Sequence, residues 1–419
     1  MTTTIELSRL DFRDWVRPDD MVAWGQASGE PLSLTEALMA QRHTVGPFKA
    51  FTGISLSPTP NPQFTDRVEF HSYHGGASNR RLVETRQLEI LPCHYSQLPA
   101  VLAGKVDVLL LHLPPPDDGG NFSLGLSHDY VIALIDSTRT VIAEINDQMP
   151  WIHGERTIHA AEIDVLVTSS RPPLEMPLRA GDAADRAIAA RVAGLIEDGA
   201  TLQIGIGALP GAILVSLAGH RHLGIHSGAI GDTVAGLMES GAVDNARKGI
   251  DAGVTVAGCL LGTRRIWDFS NRNPRISLRS VAYTHDIFVL SGLEKFTALN
   301  GAIEVDLTGQ VNAETLDGNY VGAVGGAVDF MRGAQRSRGG LPIIALRSRA
   351  GDKSKIVGRL GGPVSTARAD AGVIVTEHGI ADLRGRTIAE RVKRMIDIAH
   401  PEDRDSLERA AYDVTMRNV

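Results

Sequence analysis

The sequence predicts an α/β protein of two or three domains whose sheets are mostly parallel. Val106 to Leu111 is an almost unbroken apolar run and Val141 to Ile145 is another, the pattern of strands covered on both faces. Strand-like runs lead through polar or glycine turns into helical spacing. Met21 to Trp24 is followed by a break at Gly25, Gln26 and Gly29 to Pro31, then by a helix from Ser33 with Leu34, Ala37, Leu38 and Gln41 at helical intervals. Finally, 44 glycines in 419 residues supply many tight connections, and a chain of that length exceeds one ordinary core.

From the amino end, Ser8 to Val16 is a short amphipathic opening and Pro18-Asp19-Asp20 a turn before the first strand. FTGISLSP, VEFHSYHGG and LEILPCHYSQLP then alternate apolar runs with turn signals, and Pro114 to Asn121 is a stiff exposed loop. Three prolines in the nine residues from Arg171 to Arg179, without periodicity, mark a boundary between domains at 1–175 and 176–419. Beyond it, Ala183 to Ile196 carries an apolar helical stripe closed by Gly199. Leu202 to Ile206 is a strand feeding Gly205, Gly207 and Gly211, with Pro210 in the first turn of the next helix. From Glu304 to Asn312, polar and apolar residues alternate as in a half-buried strand, with Gln310 and Asn312 either facing a crevice or lining the strand's wet face.

The stretch from Asn319 to Leu346 organises the second half. Gly322, Gly325 and Gly326 fall within five residues, ahead of an amphipathic run and the apolar strand Ile343 to Leu346. Such a turn lets a ligand reach main-chain N–H groups, and a helix starting there aims its positive end at the same spot.

Composition excludes several classes. A formal net charge of −7 argues against a nucleic-acid partner, and no apolar segment is long enough to span a bilayer. The N-terminus lacks a signal-peptide pattern, and Cys93 and Cys259 form no zinc or redox spacing, so a cytoplasmic protein with buried cysteines is expected. His71, His74 and His94 match no metal signature, and no metal site is expected. Gly205, Gly207 and Gly211 are spaced GxGxxxG with no acidic residue about twenty positions on, so no nicotinamide site is expected either.

Gly322, Ala323, Val324, Gly325, Gly326, Ala327, Val328, Asp329 and Phe330 resemble the glycine loop of the class I coenzyme A transferases, in the acetyl-CoA hydrolase/transferase or 4-hydroxybutyrate CoA-transferase branch. Trp24-Gly25-Gln26, Glu30-Pro31-Leu32, Ser123-Leu124-Gly125, the turn from Gly205 to Pro210, Asn300 to Glu314 and Val375 to Thr387 are similar to family segments in the same order. The resemblance spans about Trp24 to Arg404. It implies two similar open, mostly parallel-sheet domains of the CoA-transferase (NagB/RpiA-like) type facing a central crevice, where Gly207, Gly228 and Gly325 converge. It implies a homodimer acting on an acyl-CoA and a small carboxylic acid, with coenzyme A as substrate.

The same resemblance points to site residues. Amides of Gly205, Gly207, Gly322, Val324, Gly325 and Gly326 are expected to hold the thioester oxygen. Arg347, Lys353 and Lys355, with Arg349 and Arg359, form a cation cluster suited to the CoA phosphates. One position departs. Where the family has His, then Ser or Thr, then a catalytic glutamate, this chain has His226, Ser227 and Gly228. The implied mechanism passes through an anhydride and then a thioester on that glutamate, which glycine cannot form. Three alternatives stand: another carboxylate (Glu30, Asp232 or Glu239) fills the gap, a water does so and makes the protein a thioester hydrolase, or an acyl-CoA is bound without turnover. Gln26 and Glu30, on the first polar turn, are candidate substrate contacts.

Overall fold

The computed structural model describes residues 2–416. The chain divides into two compact units. Unit 1 runs up to Pro177 and takes in Ala229–Asp232 and Val256–Thr284; unit 2 comprises Leu178–Gly228, Thr233–Thr255 and the chain from His285 onward.

Unit 1 is built on an eight-stranded sheet in the spatial order Thr3–Thr4, Val165–Ser169, Thr140–Asn146, Val108–Leu113, Met21–Trp24, Phe48–Phe51, Val68–Ser72 and Leu88–Ile90. Every neighbouring pair is parallel. Val108–Leu113 is buried at each of its six positions, which is why its sequence shows no alternation. Val22, Trp24, Leu34, Leu38, Phe70 and Leu110 share one core. The helix Leu32–Val45 has no side-chain cap of its own, because Pro31 precedes it. Glu144 supplies one from the strand Thr140–Asn146, accepting from the amides of Ser33 at 2.9 Å and Leu34 at 3.4 Å.

The late segments are knitted into this unit through main-chain bonds. His128 N–H donates to the Gly258 carbonyl, Leu260 N–H to Leu126, Met176 N–H to Gly262 and Leu278 N–H to His153.

Within unit 2, the strand Gly224–Ile230 as far as Gly228, then Thr201–Ile204, Phe296–Asn300, Leu341–Ala345 and Val373–Thr376 lie side by side and parallel, and Gly379–Asp382 closes the edge antiparallel. The helix Ala183–Ala193 begins with a capping box in which Asp182 and Asp185 satisfy each other's amides. Phe296, Phe330, Met331, Ile344 and Ile374 anchor the core.

The alternating stretch from Glu304 is a hairpin rather than one strand, with Glu304–Asp306 pairing antiparallel with Val311–Asn312. Asp306 causes the reversal, since its Oδ1 accepts from the amides of Thr308 at 2.8 Å and Gln310 at 2.9 Å. Gln310 and Asn312 therefore do not line an open face: they donate to Asp306 and Glu304 respectively. Cys259 is buried and Cys93 only half-buried. Among the described residues, no helix is long and apolar enough to cross a membrane.

Candidate active site

In unit 2 a cleft of about 310 Å³ opens at the carboxyl ends of Thr201–Ile204, Phe296–Asn300 and Leu341–Ala345, the end of a parallel sheet where ligands bind. Gly205, Ile206, Pro210, Asn300, Arg347 and Lys355 are among its lining residues. The cation cluster is split. Arg347 is spent on Asp185, with both its Nε and Nη2 bonded to that carboxylate at 2.9 and 2.7 Å. Arg349 pairs with Asp403 and Glu402, and Lys353 stands exposed against Asp317. Only Lys355 among them turns inward without a carboxylate partner: its Nζ donates to the Ala302 carbonyl, and burial, with Arg347 nearby, pushes its pKa down.

The glycines divide by role. Gly205 donates its amide to Leu299, and Gly322 donates to Glu314, so neither is available to a ligand. Gly322 is glycine because the chain passes close there: a β-carbon would lie 2.0 Å from the Ala313 carbonyl oxygen. Gly325 takes the left-handed conformation at φ 57 ahead of the helix Ala327–Arg336. Among the described residues, the amides of Ile206, Gly207 and Val324 donate to no main-chain or side-chain acceptor.

Gly228 and Gly326 face one imidazole. A β-carbon built on Gly228 would meet His285 Cε1 at 3.2 Å and Nε2 at 3.3 Å, and one built on Gly326 would meet Nε2 at 2.4 Å. The ring also packs on Phe330 with centroids 4.3 Å apart. His285 is 4% exposed, and burial pushes its pKa down to about 3, so the imidazole is neutral near pH 7. The two glycines above it are half-buried. Ser227, one residue before Gly228, joins this end of the sheet to the neighbouring strand through Ile204, whose carbonyl takes its hydroxyl at 3.1 Å and whose amide donates back at 3.3 Å. Ser227 is thus a strand-to-strand tie.

The remaining candidates have structural duties. Asp232 accepts from the amides of Thr263 and Ile266, holding the start of the helix Arg264–Ser270. Glu239 lies exposed at the end of the helix Asp232–Glu239. Glu30 is fully buried in unit 1 and accepts four hydrogen bonds, from the hydroxyls of Ser55 and Ser57 and the amides of Leu56 and Ser57. Burial raises its pKa and those donors oppose the rise. Gln26, 5% exposed, uses its whole amide: Nε2 donates to Tyr95 and Asp129, while Oε1 accepts from Tyr73 and the Ile54 amide. Asp129, whose pKa burial pushes up to about 6, and His285 were not signalled by any sequence pattern.

The chain matches the model of the acetyl-CoA hydrolase/transferase N-terminal domain over residues 9–175 and that of the C-terminal domain over 262–411. It belongs to the acetyl-CoA hydrolase/transferase family. The 4-hydroxybutyrate coenzyme A transferase of Clostridium kluyveri is 37% identical over 399 residues, 92% of either chain. RipA from Yersinia pestis superposes with a TM-score of 0.93 at 31% identity, covering 98% of this chain and 97% of that one. The 4-hydroxybutyrate CoA-transferase of Porphyromonas gingivalis gives 0.82 at 29%, with the same coverage. An acetyl-CoA hydrolase of Saccharomyces cerevisiae is 28% identical over 229 residues, half of this chain and 41% of its own. Family members thus include both CoA transferases and acetyl-CoA hydrolases.

Proposed function

We propose that this family member breaks CoA thioesters, transferring CoA to a small carboxylic acid or hydrolysing the ester, with the carbonyl oxygen held by main-chain amides. The observation that carries the reading is the set of amides on Ile206, Gly207 and Val324 that take no acceptor. Ile206 lines the cleft at the sheet's carboxyl end, Gly207 immediately precedes the helix Ala208–Ser216, and Val324 lies in the glycine loop. A preorganised donor aimed at a developing oxyanion contributes about 3 kcal/mol to the transition state. Lys355, set into the cleft, supplies positive charge for a CoA phosphate or an acid carboxylate.

Gly228 favours a second reading, in which the protein binds an acyl-CoA without turnover, because no carboxylate stands there to form the covalent intermediates. Incubation with a panel of acyl-CoAs, with and without acetate, separates the readings. Release of free thiol marks hydrolysis and a new acyl-CoA marks transfer. Binding with neither product marks the second reading.

A further inference from the structure

The cleft of unit 2 sits where the strand order of its sheet reverses. From Thr201–Ile204 the next strand of the chain, starting at Gly224, lies on one side, while Phe296–Asn300, Leu341–Ala345 and Val373–Thr376 run off on the other. Residues just past the two central strands, Gly205 and Ile206 from one and Gly301 and Ala302 from the other, line the cleft, so it is the crevice that an open parallel sheet offers to ligands. Of the seven lysines in the sequence, Lys355 is the one in that lining. Its Nζ donates to the carbonyl of Ala302, which also lines the cleft, and this bond fixes the amine in the cleft wall. Ile206, Leu209, Pro210, Leu299 and Leu346 make much of the remaining wall apolar. Burial disfavours the ammonium form and Arg347 adds to that, with Glu377 opposing, so the amine reaches its nucleophilic form at a lower pH than an exposed lysine does. Lys353, two residues away, is exposed and paired with Asp317.

We propose that Lys355 is a self-acylation site, its Nζ attacking the thioester of an acyl-CoA seated in the cleft and keeping the acyl group as an amide. Self-acylation rests on the thioester reading above and regulates that same site. The Nζ lone pair bonds to the carbonyl carbon, and the carbonyl oxygen takes the negative charge at the Ile206 amide. The oxyanion collapses, the C–S bond breaks, and one proton of the nitrogen passes to the departing sulfur. The products are an acylated lysine and free CoA thiol, with no further reactant. Acylation removes the positive charge and lengthens the side chain inside a space of about 310 Å³, so one event per chain closes the cleft to the next acyl-CoA.

The test incubates the full chain with acetyl-CoA or butyryl-CoA, follows free thiol, and locates the added acyl group by mass spectrometry of the intact protein and its peptides. One acyl group per chain is expected, on Lys355, at a rate that saturates with acyl-CoA and is slowed by free CoA. That rate is expected to exceed the one at Lys353 by about tenfold or more, because binding makes the attack effectively unimolecular. Labelled chains are expected to lose acyl-CoA binding in equilibrium dialysis, and Lys355→Arg, which keeps the charge, to show no added mass over the same time. Equal label on Lys353 and Lys355, or a rate linear in acyl-CoA, overturns self-acylation in the cleft, and labelled chains that still bind acyl-CoA overturn the closure. Repeated thiol release or CoA transfer with Lys355 unmodified overturns self-acylation and leaves thioester cleavage standing. Label on Lys355 without turnover supports self-acylation and overturns cleavage in favour of binding alone. Absence of binding, turnover and label overturns both.

Discussion

Replacing Glu30 separates a scaffold carboxylate from a nucleophile. Glu30→Ala removes the acceptor of two hydroxyls and two amides. The Ser55 and Ser57 hydroxyls lie 3.3 Å apart and can turn to each other, but the Leu56 and Ser57 amides have no such fallback. Two stranded donors at about 1–3 kcal/mol each give a loss of about 2–6 kcal/mol. Glu30→Gln keeps the volume and an oxygen for both amides, and its NH2 faces hydroxyls that can rotate to accept, so its loss is expected near 1 kcal/mol. All four tryptophans, Trp15, Trp24, Trp151 and Trp267, belong to unit 1, so urea unfolding followed by tryptophan fluorescence reads the right half of the chain. Both variants, where folded, are expected to cleave thioesters within a few-fold of wild type. Glu30→Gln with unchanged stability and a rate at least 100-fold lower would refute this and make Glu30 the nucleophile.

Further outcomes follow from the cleft and the imidazole. Gly326→Ala places a methyl 2.4 Å from His285 Nε2 and is expected to displace the ring, costing about 1–3 kcal/mol by urea unfolding. Gly228→Glu alone must push the ring aside from 3.2 Å, so CoA transfer to acetate is expected to rise more in the double variant with His285→Ala than in the single one; equal transfer in both counts against the shared space. Lys355→Met is expected to raise KM for acyl-CoA about tenfold, some 1.4 kcal/mol, with kcat within threefold in steady-state assays. Because the pKa of His285 is pushed down to about 3, the unfolded chain binds a proton below about pH 6.5 that the folded chain refuses, so this residue withdraws stability as pH falls. His285→Gln is therefore expected to flatten the loss of urea stability between pH 6 and pH 4 by about 1.4 kcal/mol per pH unit relative to wild type.

Much of the fold was legible because burial on both faces leaves a direct trace: Val108–Leu113 and Thr140–Asn146 read as strands from their apolar runs alone. The strand at Glu304 failed because alternation looks the same whether polar residues face water or, like Asp306, turn back on their own chain. The acidic candidates show a related limit of sequence patterns: Glu30 and Asp232 are carboxylates near the right segments, but it takes the fold to bring amides onto their oxygens. His285 was invisible, since nothing in its neighbourhood of sequence marks it; it emerges only where two glycines distant along the chain face one ring.

The interleaved order of the two units bears on how the protein is made. A ribosome delivers everything up to Pro177 more than a hundred residues before it finishes Val256–Thr284. Until then the carbonyl of Leu126 and the amides of His128 and Met176 lack the partners that Leu260, Gly258 and Gly262 bring. An expression fragment cut at the proline-rich boundary would carry that unfinished edge permanently, so trimming this protein into a stable amino-terminal piece requires grafting the late segment back on.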